Sequence, residues 1–298
     1  MRPLRARITT FFKSAVMSFT LIADSGSTKT EWCLLDEKKA KKLTTGGINP
    51  YFITETECLD MLQRELKLGK AKDDISEVYF YSAGVKAPQN QKTMTSILKQ
   101  HLGIKDVFVH TDMLGASRAT CKQEKGVTAI LGTGSNSCFY DGSKITKQHP
   151  SLGYILGDEG SGTAMGRKVL QHFFYQTFDG DLHEAFINKY GNDLSGVLHK
   201  VYKEPLANRY LASFTEFLTD HRGHYMIENI IEDTLLEFFT KNLLKYRESW
   251  KYPIHFVGSV AFEFKDVLLS VIDQYGLSVG SIVKSPIDGL KTYHQSLK

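Results

Sequence analysis

The sequence predicts a duplicated α/β fold, and three observations carry that prediction. Strands alternate with helices through the first half, the mark of a layered α/β structure. A glycine-rich hairpin at 24–29 returns at 132–136. A strand running into glycine occurs once in each half, Val78 to Gly84 and Ile254 to Gly258. The same elements in the same order are the signature of an internal duplication.

Each element has a local reason. Phe19 to Ala23 is a short apolar run and reads as a buried strand, and Glu31 to Asp36 reads as its return. A helix is expected over 54–68, a strand at Val78 to Tyr81, a helix over 88–101 and a strand at Val107 to His110. Val127 to Leu131 and Ser137 to Tyr140 repeat the opening strand pair. The second copy carries a helical insert at about 160–250. Within it, Met226 to Tyr246 places Ile227, Ile230, Ile231, Leu235, Phe238, Phe239 and Leu243 at helical spacing, so one face is buried. The expected division is an extension at 1–16, a first domain at 17–111 and a second at 112–285. A terminal helix near 286–298 is expected to pack back on the first domain.

Composition narrows the function. Apolar residues make up 42% and charged residues 23%, which argues against disorder, collagen and disulfide scaffolds. The net charge of +4 comes from Arg2, Arg5, Arg7 and Lys13, and from Met17 onward the charges cancel. No basic stripe suited to nucleic acid results. No apolar run is long enough for a transmembrane helix. Residues 1–16 faintly resemble a targeting peptide, but Lys13 breaks the apolar run, so an upstream start or added extension, disordered, is expected. Cys33, Cys58, Cys121 and Cys138 are scattered, which fits a reducing cytoplasm better than a disulfide frame or zinc site. His149, His172 and His255 read as ordinary surface or core residues, since no histidine has metal-ligand spacing.

The two hairpins suit phosphate. In Asp24-Ser25-Gly26-Ser27-Thr28-Lys29, glycine lets the backbone approach an anion, Ser27 and Thr28 add hydroxyls, and Lys29 adds charge. Asp24 at the strand end suits a hydrated Mg²⁺. Gly132-Thr133-Gly134-Ser135-Asn136 repeats the logic without charge. Either turn alone is an ordinary tight turn; two at matching places in two copies form a clamp for one polyphosphate. Asp112 follows a strand end, where ligands of α/β sheets bind, and an Asp suits proton acceptance from a hydroxyl. It equally suits an N-cap for a helix over Leu114 to Cys121. Asp158 and Glu159 precede another helix and fit its dipole. Asn49, in Gly46-Gly47-Ile48-Asn49-Pro50, sits in a plain turn signal.

These motifs, with Phe256-Val257-Gly258-Ser259-Val260, resemble the actin, hexokinase and Hsp70 ATPase superfamily, and within it the N-acetylglucosamine kinase and BadF/BadG ATPase group. The resemblance spans nearly the whole chain after Met17. It implies two ribonuclease H-like domains around a cleft, with ATP and Mg²⁺ as cofactors. It implies ATP contacts from Asp24, Gly26, Ser27, Thr28, Lys29, Gly132, Thr133, Gly134, Gly258 and Ser259, with Asp24 toward the metal. It implies Asp112 as general base toward a sugar 6-hydroxyl, and sugar contacts from Asn49, Ser135, Asn136, Gly153, Asp158 and Glu159. Glu159 is left between sugar and metal. The kinases resembled have a Trp beside the glycine at 153, where this chain has Leu152.

The expected function is therefore an ATP-dependent kinase of a hexosamine, N-acetylglucosamine first. The alternative is an ATPase activator of a 2-hydroxyacyl-CoA dehydratase system, which would need cysteines for a bridging iron–sulfur cluster. A sugar-responsive repressor lacks a DNA-reading module here. The expected partners are a small-molecule sugar and a nucleotide, with no nucleic acid and no membrane, and the reading leaves room for a homodimer.

Overall fold

The computed structural model describes residues 18–26, 28–36 and 39–297. The expectation for residues 1–16 and the expected role of Ser27 lie outside them.

The first sheet is built from β1 (Phe19–Ser25), β2 (Lys29–Leu35), β3 (Ala40–Gly46), then, after α1 (Glu55–Glu65), β4 (Ile75–Ser82), and, after α2 (Pro88–Leu102), β5 (Asp106–Thr111). Its order is β3-β2-β1-β4-β5. β1 to β3 form an antiparallel meander, while β4 and β5 run parallel to β1. Helix α3 (Asp112–Cys121) leads to the second sheet: β6 (Gly126–Leu131), β7 (Ser135–Tyr140) and β8 (Ile145–Gln148). The helical insert follows as α4 (Gly153–Leu156), α5 (Gly162–Phe174), α6 (Gly180–Tyr190), α7 (Leu194–Tyr202), α8 (Ala207–Ser213), α9 (Thr215–Asp220) and α10 (Tyr225–Lys241). The chain closes with β9 (Ile254–Val257), α11 (Ser259–Glu263), α12 (Lys265–Gln274), β10 (Val279–Val283) and α13 (Ile287–Gln295). The second sheet has the order β10-β9-β6-β7-β8, the same path as the first. The duplication is thus present strand for strand, with the paired strand-glycine elements as β4 and β9.

Local chemistry accounts for the helix limits. Thr54 and Glu57 form a reciprocal capping box at α1, and α2 starts at Pro88 and stops at Gly103 in the left-handed region. The expected helix over 226–246 ends at Lys241, and two short 3₁₀ turns follow, although Leu243 and Tyr246 stay buried. Strands β3, β8 and β10 were not expected. Each is a sheet edge or a short, half-exposed segment without an apolar run.

Three cores result. One face of the first sheet packs on α1 and α2, through Trp32, Phe80, Leu62 and Leu98. The other face, with Ile22, Cys33, Leu35 and Tyr81, packs on Ala119 of α3 and on Ile287 and Leu290 of α13. The second sheet and the insert share the largest core. Helix α3 lies between the sheets, touching β1, β4 and β5 on one side and β6, β7 and β9 on the other. It crosses α13 at Gly289, where a Cβ would strike the Ala119 carbonyl.

Candidate active site

The site begins at the carboxyl edge of the first sheet. Ser25, Ser82 and Thr111 end β1, β4 and β5 in register. Side chains alternate along a strand, so Asp24 shares the face of Ile22, and Lys29 and Glu31 share that of Cys33. That is the face turned toward α3 and α13. Asp24 and Glu31 are direct cross-strand partners. The opposite face of the hairpin is anchored. Ser25 Oγ contacts Thr30 Oγ1 at 2.6 Å and donates to the Ile48 carbonyl at 2.9 Å, and Ser82 Oγ donates to the same carbonyl at 2.8 Å. The hairpin closes through Gly26 N–H to Lys29 O at 3.0 Å.

Asp112 is the first residue of α3. The capping role falls to Thr111, whose hydroxyl accepts from Leu114 N–H at 3.3 Å. The Asp112 carboxylate accepts from Met113 N–H at 2.8 Å. Burial pushes its pKa up, against that backbone donor. Asp24 feels this neighbour. Burial, the Asp112 charge and the Glu31 charge push its pKa up to about 7, with Lys29 opposing. Asp24 on β1 and Asp112, just past the end of β5 across the intervening β4, thus act on each other through their charges.

The second hairpin docks on the insert. Gly162 N–H donates to Gly132 O at 2.8 Å, and Thr163 donates to Thr133 O through N–H at 3.1 Å and hydroxyl at 2.7 Å. The start of α5 thus holds the turn by its carbonyls. Asp158 holds it from below: its carboxylate accepts from Ser135 N–H at 3.2 Å and fills the space a side chain at Gly134 would need. Asp158 has a positive φ of 57°, uncommon for a residue other than glycine. Burial pushes its pKa up, against the Ser135 donor. Gly258 abuts the same turn. At φ 127° its missing Cβ leaves room for the Leu131 carbonyl, and Ser259 begins α11 directly after it.

A cavity of about 250 Å³ opens beside this turn, lined by Ser135, Asn136, His149, Leu152, Gly157, Asp158, Glu159, Lys241 and Asn242, among others. Four of the expected sugar contacts, Ser135, Asn136, Asp158 and Glu159, meet there. Glu159 is held by Lys241 at 3.5 Å and by Asn242 at 3.5 Å. Asn136 Oδ1 accepts from Ser137 N–H and from Gln148 Nε2. Gly153 begins α4 at φ 71° without lining the cavity. Asn49 lies in the other lobe, buried against Gly84, its Oδ1 accepting from Tyr51 N–H at 3.0 Å.

Sequence reasoning missed the wall behind this cavity. The buried Tyr246 hydroxyl donates to Ser137 O at 3.0 Å and accepts from His149 N–H at 3.1 Å. The His149 ring rests on Tyr246 with centroids 4.5 Å apart. Tyr246 was expected only as the end of a helix, and His149 as an ordinary residue. No local motif marks either, because the residues they brace are about a hundred positions away or across a loop.

A divalent cation fits this donor set only as a partner of phosphate oxygens. Mg²⁺ is commonly held by one or two carboxylates plus substrate phosphates, and Asp24 is the carboxylate that would meet it here. Among the described residues no three His, Cys, Asp or Glu side chains gather into a protein metal cage. No helix among them is long and apolar enough to cross a membrane.

Two sheets of the same strand order give the two-domain fold of the actin-like ATPases and ROK sugar kinases. Residues 23–266 match the sequence model of the BadF/BadG/BcrA/BcrD ATPase family, and the chain belongs to that family. It is 22% identical over 241 residues to the N-acetylmuramic acid/N-acetylglucosamine kinase of Clostridium acetobutylicum, covering 75% of this chain and 78% of that one. A crystal structure from Porphyromonas gingivalis, provisionally named an N-acetylglucosamine kinase, superposes with a TM-score of 0.89 at 39% identity, covering 93% of this chain and 99% of that one. A ROK family glucokinase from Streptomyces griseus, solved with glucose and AMPPNP, shares the fold at a TM-score of 0.54 and 15% identity, over 92% of this chain and 97% of that one.

Proposed function

We propose that the protein is an ATP-dependent sugar kinase that transfers the γ-phosphate to the 6-hydroxyl of a hexosamine, N-acetylglucosamine first among the candidates. The observation that carries this reading is the Asp112 carboxylate. It opens α3 just past the end of β5, where Thr111 caps Leu114 N–H while Asp112 accepts from Met113 N–H, and its charge helps push up the pKa of Asp24.

In this reading the 24–29 and 132–136 turns hold the phosphates from opposite lobes, and Gly258-Ser259 borders the adenosine. Mg²⁺, when bound, would neutralise developing phosphate charge. Asp158, Asn136 and Ser135 receive sugar hydroxyls, since each hydroxyl both donates and accepts. Asp112 takes the hydroxyl proton as the sugar oxygen bonds to the γ-phosphorus and the bond to the β-bridging oxygen breaks, releasing ADP. Its burial-raised pKa favours holding that proton. Closure of the lobes excludes water, the competing acceptor.

The activator alternative needs thiols at a subunit surface. All four cysteines are free and buried, and burial pushes the Cys138 thiol up to about 12. That supports the kinase reading, and a cytoplasmic setting where these thiols stay reduced. The test is a coupled ADP-release screen across hexoses, hexosamines and their N-acetyl and acidic derivatives. Stimulation by one sugar is expected. ADP release indifferent to every sugar would overturn the kinase reading in favour of the activator.

A further inference from the structure

The first hairpin, residues 24–31, contains a single base, Lys29. Its Nζ donates to Glu31 Oε1 at 2.9 Å. The other Glu31 oxygen accepts from the Ser285 hydroxyl, and Ser285 Oγ in turn accepts from Ile287 N–H at 3.3 Å. Glu31 is therefore fixed from two sides, and its second anchor is the segment that leaves β10 to begin α13. The exposures separate the partners. The Lys29 side chain is 58% exposed and that of Glu31 24%. The ammonium is the partner free to leave, and the carboxylate is the one that stays.

The surroundings make this pairing consequential. Asp24, Glu31 and Asp112 place three carboxylates around the hairpin, against one ammonium. The nearby Lys42 is already paired with Asp288 at 2.7 Å. A polyanion arriving at this turn meets a cation in use and a net negative field. Exposed ion pairs are weak, so phosphate oxygens can take Lys29 over at little cost. Glu31 cannot follow, because Ser285 holds it.

We propose that Glu31 is a positioning residue that occupies Lys29 until nucleotide phosphate displaces it, and so lowers the affinity of the hairpin for nucleotide. This rests on the proposed nucleotide role of the hairpin. After the exchange, the retained Glu31 charge opposes the phosphates and favours departure of ADP once transfer is complete.

The experiment is calorimetric binding of Mg·ADP to the full chain, without sugar, for the wild type, Glu31→Gln, Lys29→Met and the double variant. Removing Glu31 should tighten binding by about fivefold or more, as a like charge is lost and Lys29 is freed. Lys29→Met should cost less than about threefold in the wild type and more than about tenfold in the Glu31→Gln background. A loosened hairpin cannot produce a gain in affinity, so a merely structural Glu31 predicts the opposite sign. Glu31→Ala repeats the measurement with thermal unfolding of each variant as the check on folding. Unchanged or weaker binding in both Glu31 variants, or an equal Lys29 cost in both backgrounds, overturns the inference. A wild type that does not bind Mg·ADP overturns the nucleotide role as well.

Discussion

Asp24 should be a residue the fold tolerates at a cost. Its carboxyl is pushed from an ordinary 3.8 up to about 7 by burial and by the Asp112 and Glu31 charges, with Lys29 opposing. A carboxyl raised in the folded state binds its proton more tightly there than in the unfolded chain. Stability therefore falls as pH rises from about 4 to 7, and the deficit stays constant above that window. The rise from 3.8 to about 7, at about 1.36 kcal/mol per tenfold change in proton affinity, sets an upper figure of roughly 4 kcal/mol. Residual solvent contact and screening reduce this to about 2–3 kcal/mol. Asp24→Asn, which mimics the protonated form, should stabilise the apoprotein by that amount at pH 8 in chelator and by less than about 1 kcal/mol at pH 4. Urea unfolding at the two pH values measures it. A loss of stability at pH 8, or a gain of equal size at both pH values, would refute the coupling of Asp24 to its buried, acidic surroundings. The same substitution should weaken Mg-dependent turnover, a stability–activity trade of the kind active sites carry.

Three further outcomes follow from the geometry. Asp112→Asn should lower kcat by at least about 10² while Mg·ADP affinity changes little, measured by coupled assay and calorimetry; near-wild-type turnover removes Asp112 from the base role. Gly258→Ala must place a Cβ against the Leu131 carbonyl at a φ of 127°, so it should weaken Mg·ADP binding and lower stability by about 2 kcal/mol or more, read from Kd and urea unfolding. Tyr246→Phe removes the hydroxyl that joins Ser137 to His149, a buried pairing whose loss costs about 1–3 kcal/mol; the KM for sugar should rise with the KM for ATP unchanged, and the reverse split would contradict the wall assignment.

Much of the fold was legible in the chain itself, for identifiable reasons. Strands β1, β6 and β9 and the Val78–Tyr81 half of β4 are largely apolar and largely buried, and a run of that kind needs no tertiary context to be seen. The hairpin glycines, the aspartates at strand ends and the repetition of the whole set are likewise properties of order and spacing. What escaped was written at the margins: β3 with its lysines, β8 with four residues and β10 with half-exposed positions have no pattern of their own. They exist because a neighbour offers an unpaired edge.

The amino-acid order alone determined which residues are chemically able to act: two glycine turns, one ammonium, and carboxylates at the ends of strands. Only tertiary structure decided their circumstances. It set Asp112 near enough to Asp24, across β4, for the two charges to act on each other. It set Glu31 across from Asp24 and tied it to Ser285, 254 positions away. It brought Tyr246 behind the loop at 149. Distance along the chain carries no record of such pairings, because burial and through-space charge act between neighbours in space.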